Sequence, residues 1–431
     1  MDLSRRKFLG VAGTVGGVAA LSSCGGFGTS KTAGKSAELT FTTWGTDAEL
    51  TAFKRAIASF ETANAGAKVT LKVAPYAEMF TNIDAQLQSG TAPDVFRVTY
   101  SNIGVYAGRK QLLDLSPYFD TAAGARFTDQ MWAAVKYDGA PYGVPHHTDT
   151  STILYNKRAF AAAGITSVPD TLESAWTWEE FDQIATRLRG QLPDDRYPFA
   201  YNWQGGGITR WLSWLFQADG RLLGEDLKSP AINSDAGRAA VDFTKSFFPR
   251  RLVPQNNSVK SPTYASDLFF SETAAMVFAG TFLLPDAVSL APFEFGATFS
   301  PRNKRGGADL GGNPLVATAG TTKPGLAAKF LAFMTQEDTM LDFCVASSLL
   351  PTLKSLVGKD LSFKARPDLA KFFVQQASNV RPQDAAQVAS PGMDAIKEVL
   401  RNQLEQAFIG GQSTDATLAS ISDGISRATA R

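Results

Sequence analysis

Glu38-Leu-Thr-Phe-Thr-Thr-Trp44, then Gly45 and Thr46-Asp-Ala-Glu49, sets the architecture of this 431-residue chain. Alternation places Leu39 and Phe41 on one face of a strand. Thr46 and Glu49 have the spacing of a capping box, which starts a helix. Leu50, Phe53, Ile57 and Phe60 follow at helical intervals, with Gly66 as the stop. Lys68 to Ala74 alternates again through Val69, Leu71 and Val73, and a second helical pattern runs through Phe80, Ile83 and Leu87 to Gly90. Pro93-Asp-Val-Phe-Arg-Val-Thr-Tyr100 reads as the next strand. This β-α-β-α-β order predicts an α/β fold with largely parallel strands.

The same grammar continues downstream. Leu154 and Tyr155 sit in a short strand, 179–189 is helical, and Ala274 to Phe278 is a strand. Trp211 to Phe216 is a helix crowded with aromatics, and Pro324 to Met334 a helix led by Pro. The last strong helix has Ser390 as N-cap and Pro391 in its first turn, and carries Ile396, Val399, Leu400 and Leu404.

The N-terminus speaks to compartment. Arg5, Arg6 and Lys7 precede a weakly apolar run from Leu9 to Leu21, which marks 1–23 as a secretory signal peptide. The run is shorter than the ~20 residues a permanent transmembrane helix needs. Ser4-Arg-Arg-Lys-Phe-Leu9 resembles a twin-arginine export signal, with Gly10 where that motif often has Lys. Leu21-Ser-Ser-Cys24 resembles a bacterial lipobox, with Cys24 as the lipidation site because its thiolate can form the thioether. The remainder of 24–37 is rich in Gly, Ser, Thr and Lys and reads as a flexible tether.

Composition excludes several classes. Forty-two basic side chains against forty-one acidic ones leave no electrostatic footprint for nucleic acid. Cys344, in an apolar stretch, is the only cysteine besides Cys24, so a buried thiol is expected and no disulfide. The two histidines, His146 and His147, are adjacent; on a strand they would point to opposite faces and could not share a metal. No zinc spacing, nucleophile elbow or phosphate loop on a strand is present, so no metal and no cofactor is expected. Asp194-Asp195 lies in a hydrophilic run and reads as a solvated loop rather than a glycosidase pair.

What the chain does have is aromatics: seven Trp, ten Tyr and thirty Phe, several beside Gly, Asn or Thr in loops. Sugar rings present C–H faces to aromatic planes and hydroxyls to polar partners, so Trp44, Trp203 and Phe282 are candidate platforms. Trp44 and Tyr100 fall after the carboxyl ends of strands, where α/β sheets form their ligand crevice. Trp211 and Trp214 share a helical run with Leu212 and Leu215, and belong to the cleft or to the core.

Several further stretches resemble the family 1 extracellular solute-binding proteins of bacterial ABC importers, the group that includes the maltose-binding proteins. They are Gln88-Ser-Gly-Thr-Ala-Pro-Asp-Val95, Tyr142-Gly-Val-Pro145 with Asp149-Thr-Ser-Thr-Ile-Leu-Tyr-Asn156, Ala275-Met-Val-Phe-Ala-Gly-Thr-Phe282, Gly311-Gly-Asn313 and Lys329-Phe-Leu-Ala-Phe-Met334. The resemblance implies a two-lobed periplasmic-binding-protein-like fold (type II), with the solute in a cleft that closes on a hinge. It implies crossings near Pro145–Thr148, Thr298–Pro301 and 345–350, with lobe I at 38–146 and 300–345 and lobe II at 147–299 and 346–431. Carried over, the cleft contacts are Trp44, Gly45, Tyr100, Ser101, Asp149 as hydroxyl acceptor, Trp203, Phe282, Gly311, Gly312 and Asn313, with Asp94, His147 and Arg302 as further candidates. Phe282 stands where the family often has Trp. Gly311 and Gly312 would let backbone approach the sugar.

The function implied is a non-catalytic, monomeric, lipid-anchored carbohydrate receptor outside the cytoplasmic membrane, delivering to separate ABC permease subunits. An amino-acid derivative or polyamine in the same fold is an alternative. A cationic solute would need carboxylates beside the aromatics, for which Asp149 and Asp94 stand out. A secreted glycan-cleaving enzyme would need two carboxyls about 5–10 Å apart in the cleft.

Overall fold

Residues 37–430 are described by a computed structural model; the expected signal peptide, Cys24 and nearly all of the tether lie outside them. The opening strand is β1 (Ala37–Thr43), with Leu39 and Phe41 fully buried. A ring of that size is worth about 1.5–3 kcal/mol on burial. The capping box forms as its spacing predicts: Thr46 accepts from Glu49 N, and Glu49 accepts from Thr46 N, at the head of helix Asp47–Ala63. Then come β2 (Ala67–Val73), helix Tyr76–Ser89 closed by left-handed Gly90, and β3 (Val95–Arg97). The third strand is shorter than expected. Tyr100 instead opens helix Tyr100–Gly108, with Thr99 as its cap.

A small hairpin, β4 (Lys136–Tyr137) and β5 (Ala140–Pro141), leads into β6 (Val144–His147). After it come β7 (Ser151–Asn156), β8 (Tyr197–Tyr201), β9 (Ala274–Gly280), β10 (Phe295–Thr298) and β11 (Asn313–Ala317). They form two main sheets, ordered β2-β1-β3-β11-β6 and β10-β7-β9-β8. The parallel expectation holds for β2-β1-β3 and for β8-β9; β11, β7 and β10 pair antiparallel, so both sheets are mixed. Helices cover the sheets, and apolar cores lie around each. None of the described helices is long and apolar enough to cross a membrane.

The chain passes between the sheets at 148–150, where Thr148 and Leu350 exchange backbone hydrogen bonds of 2.8 and 3.0 Å. The second passage lies downstream of its expected position. Residues 300–309 stay with the second sheet: Arg302 pairs with Trp176 and Trp178 backbone, and Ser300 N donates to Gln376. Leu350 already packs in the core of the second sheet, Thr352 and Lys354 pair back to Thr128 and Arg126 on the first side, and the chain returns to the second core at Leu361.

At the C-terminus, Gly392 rather than Ser390 caps the helix Met393–Phe408, and an unanticipated final helix, Thr414–Thr429, packs against it. The former also packs on helix Tyr100–Gly108, where a Cβ on Gly104 would lie 2.9 Å from Pro391 Cα. Cys344 is a buried free thiol, pushed up by burial.

Candidate functional site

A cavity of about 740 Å3 lies between the two sheets, at the carboxyl ends of β1, β3, β8 and β9. That volume sits within the roughly 300–1,000 Å3 typical of small-molecule sites. Its first wall is built where β1 stops. Trp44 is half-buried, its ring 5.3 Å from Tyr76 and 5.6 Å from Phe80. Opposite stand Phe282, on the turn after β9, and Tyr264, which is 47% exposed at the rim. The sides meet closely at Tyr76, where a Cβ on Gly206 would fall 2.2 Å from the hydroxyl.

Beneath the aromatics are two buried charge networks. Arg97 ends β3 under Trp44, with its guanidinium carbon 4.6 Å from the ring centroid. It donates to Glu49 Oε1 at 2.6 Å, to Trp44 O at 2.8 Å and to Asn313 Oδ1 at 2.7 and 3.1 Å. Arg210, on the 3-10 turn Gly205–Trp211, holds Asp149 Oδ2 at 3.2 Å, Ser151 Oγ at 3.0 Å, and Asp309. Asp309 in turn accepts from Ser151 N at 2.9 Å. Burial raises the Asp149 pKa above the usual carboxylate value, against the pull of Arg210.

Asp149 Oδ1 and both polar atoms of the Gln204 side chain are buried at this wall with no hydrogen-bond partner among the described residues. Buried polar atoms are paired in nearly all folded proteins, so these two side chains stand out among those lining the cavity.

Of the residues singled out from sequence, Trp44, Gly45, Tyr100, Ser101, Asp149, Phe282, Gly311, Gly312, Asn313 and His147 line this cavity. Their duties differ from the expected ones in places. The Tyr100 hydroxyl donates to His147 O at 3.0 Å, and Asn313 Oδ1 is occupied by Arg97. Gly311 and Gly312 are required by the crossing itself: a Cβ on Gly311 would lie 1.5 Å from Asp149 Oδ1, and one on Gly312 2.3 Å from Thr148 Cα.

Three candidates fall elsewhere. Trp203 is fully buried and donates Nε1–H to Asn257 O at 2.6 Å, packed by Phe408. Asp94 is held by Thr40 and Thr321 at the far end of β3. Arg302 is exposed, its Nε donating to Ala175 O. Trp211 and Trp214 are both core. The Asp194 side chain is 94% exposed and pairs with Arg251.

His146 and His147 also depart from expectation. Asn313 and Pro314 of β11 face His147 and Pro145 of β6, so His146 is the extra residue of a bulge. The bulge turns the two rings together, Nδ1 to Nδ1 at 3.0 Å, rather than to opposite faces. No group of three metal-ligating side chains occurs among the described residues.

Sequence reading missed Glu49, Tyr76, Arg97, Asn202, Gln204 and Arg210. One signal was available: Arg97 is a lone charge inside Val-Phe-Arg-Val, and a charge there must be paired. Asn202 and Gln204, on either side of the buried Trp203 just past the end of β8, line the cavity.

Residues 55–371 match the family described as bacterial extracellular solute-binding protein. The chain is 23% identical to the diacetylchitobiose-binding protein DasA of Streptomyces coelicolor over 366 residues, 82% of this chain and 83% of that one. It is 22% identical to the maltodextrin-binding protein MdxE of Bacillus subtilis over 381 residues, 83% and 82% of the two chains. Among solved structures, the GacH receptor of Streptomyces glaucescens, studied unliganded and with acarbose, superposes with a TM-score of 0.76. It is 21% identical, with 91% of this chain and 99% of that one covered.

Proposed function

Because the chain belongs to the bacterial extracellular solute-binding protein family, we propose that it is the carbohydrate receptor of an ABC importer, taking a mono- or oligosaccharide into the cavity between its lobes. The observation that carries this reading is the pairing of aromatic planes with orphaned polar atoms around one cavity. Trp44, Tyr76 and Phe282 offer faces to pyranose C–H groups, while Asp149 Oδ1 and Gln204 offer hydrogen bonds to hydroxyls. The names of the relatives, binders of diacetylchitobiose and maltodextrin, point the same way.

In this reading one lobe is built on β2-β1-β3-β11-β6 and the other on β10-β7-β9-β8, with hinge passages at 148–150 and 310–312. Gly45, Tyr100, Ser101 and the Gly311–Asn313 segment shape the floor. A solute touching both lobes favours the closed arrangement, and closure presents the receptor to separate permease subunits. The protein acts as a monomer and performs no chemistry on its solute. Export follows the Arg5-Arg6 signal, and acylated Cys24 holds the chain to the outer face of the membrane.

A thermal-shift panel of sugars, amino acids and polyamines tests the carbohydrate assignment: a sugar is expected to give the largest rise in Tm. If amino acids or polyamines alone stabilise the chain, the assignment fails. Cys24→Ser is expected to move the protein from the membrane to the soluble fraction; retention of the variant on membranes would refute the anchor.

A further inference from the structure

We propose that the solute carries a basic nitrogen, that is, an amine-bearing saccharide whose ammonium sits against Asp149. The inference rests on the carbohydrate-receptor reading and adds the charge of the solute to it. It begins with the count of buried charges at the wall. Arg97 is matched by Glu49 and fully engaged by Trp44 O and Asn313. Arg210 is shared by two carboxylates, Asp149 and Asp309, whose side chains are 3% and 2% exposed. One negative charge is therefore left without a counter-charge in a water-poor wall. Asp149 is the member of the pair that lines the cavity, and its Oδ1 is buried without a partner among the described residues.

The surroundings reinforce this sign. Burial, Asp47 and Glu49 together raise the pKa of Asp286, so acidic groups also gather near the Glu49 side of the site. Lys397, which reaches the cavity residue Ser101 at 3.4 Å, is itself paired with Asp394 at 3.1 Å. Trp44, Tyr76, Tyr264 and Phe282 supply ring faces that attract a cation. A phosphate or uronate would find both guanidiniums engaged and would face the carboxylate of Asp149. A neutral hydroxyl would satisfy Oδ1 and leave the charge unbalanced. An ammonium does both.

Isothermal titration calorimetry on the full chain, with probes paired by shape, tests this. The β-linked pair is the glucosamine disaccharide of chitosan against N,N′-diacetylchitobiose; the α-linked pair is acarbose, whose bridging nitrogen is basic, against maltotetraose. The amine-bearing member of at least one pair is expected to bind about tenfold tighter or better than its neutral partner, the increment of a charge-assisted over a neutral hydrogen bond. Asp149→Asn, which keeps an acceptor for Arg210, is expected to erase that preference. Equal or tighter binding of the neutral members overturns the proposal and leaves the carbohydrate reading standing, as does a preference that survives in Asp149→Asn. Binding of spermidine or of amino acids with no saccharide bound in either pair overturns both.

Discussion

Nε2 of His147 lies 3.0 Å from Nη2 of Arg97 and 3.2 Å from Asn313 Oδ1, which ties one of the two histidines to the charge network under Trp44. The two hydrogens of Nη2 are directed at Glu49 Oε1, 2.6 Å away, and Asn313 Oδ1, 2.7 Å away. The Nδ1 atoms of His146 and His147 lie 3.0 Å apart, so one ring donates to the other, and His146 Nε2 is buried without a partner among the described residues. Phe53 stacks on the His146 ring at 5.4 Å and Phe343 meets its edge at 4.4 Å. The pair is therefore a neutral spacer beneath the cavity, with no room for a third proton.

Stability should consequently depend on pH with a definite sign. Burial, helped by Arg97, lowers the His146 pKa to about 3 and that of His147 well below the ordinary value. Between pH 6.5 and about 3 the unfolded chain binds protons that the folded chain refuses, so stability falls as the pH drops. Each histidine contributes a slope of up to about 1.4 kcal/mol per pH unit. Urea denaturation from pH 7 to 4 should show a shallower decline for His146→Leu than for the parent. Parallel curves would mean that His146 titrates freely in the folded protein.

Arg210 is the next case, because its removal strands two carboxylates. Asp149 and Asp309 flank the passages at 148–150 and 310–312, and Arg210 holds both. Arg210→Met should cost about 3–5 kcal/mol, the usual penalty for breaking a buried pair from one side. Adding Asp309→Asn should recover part of it, since the double variant buries one fewer uncompensated charge. Denaturant midpoints decide: a single variant as stable as the parent would show that water reaches Asp149 and Asp309.

Trp44 and Trp203 separate what was legible in the sequence from what was not. Periodicity and capping gave the first lobe down to the Thr46–Glu49 box, because those signals are local. Both tryptophans sit beside a strand end and glycines, and locally they read alike. What divides them is long-range: Trp203 meets Asn257 O and Phe408, more than fifty residues away, whereas the half-buried ring of Trp44 faces the cavity. The same limit hid the bulge at His146, which depends on β11, and the pairing of Arg210 with Asp309.

The two tryptophans should accordingly respond in opposite ways to truncation. Trp44→Ala should weaken solute binding by about 1–3 kcal/mol, by analogy with stacking of bases on aromatics, with little change in Tm. Trp203→Ala should cost about 3–5 kcal/mol of stability as a buried aromatic truncation, and the milder Trp203→Phe should leave affinity unchanged. Calorimetry and thermal melts on the three variants test both halves. A Trp44→Ala variant with parental affinity would remove that ring from the site.

Gly312 joins the fold to the site most tightly. Its φ of +86° is one that side-chain-bearing residues avoid, and a Cβ there would lie 2.3 Å from Thr148 Cα and 2.4 Å from His147 O. Two chain passages run in contact at this point, the one at 148–150 and the one ending at Gly312. Gly312→Ala must therefore push them apart. His147 O is also the acceptor of the Tyr100 hydroxyl, so a shift there displaces the cavity floor as well. Strain of this kind costs of order 1–3 kcal/mol, and the variant should lose both stability and affinity. Gly311→Ala attacks the Asp149 carboxylate instead, 1.5 Å from the new atom, and should reduce affinity more than stability if Asp149 can swing aside. Comparing the two variants by urea denaturation and calorimetry distinguishes a backbone crossing from a side-chain perch. Equal stability losses in both would mean that Asp149 is as fixed as the crossing.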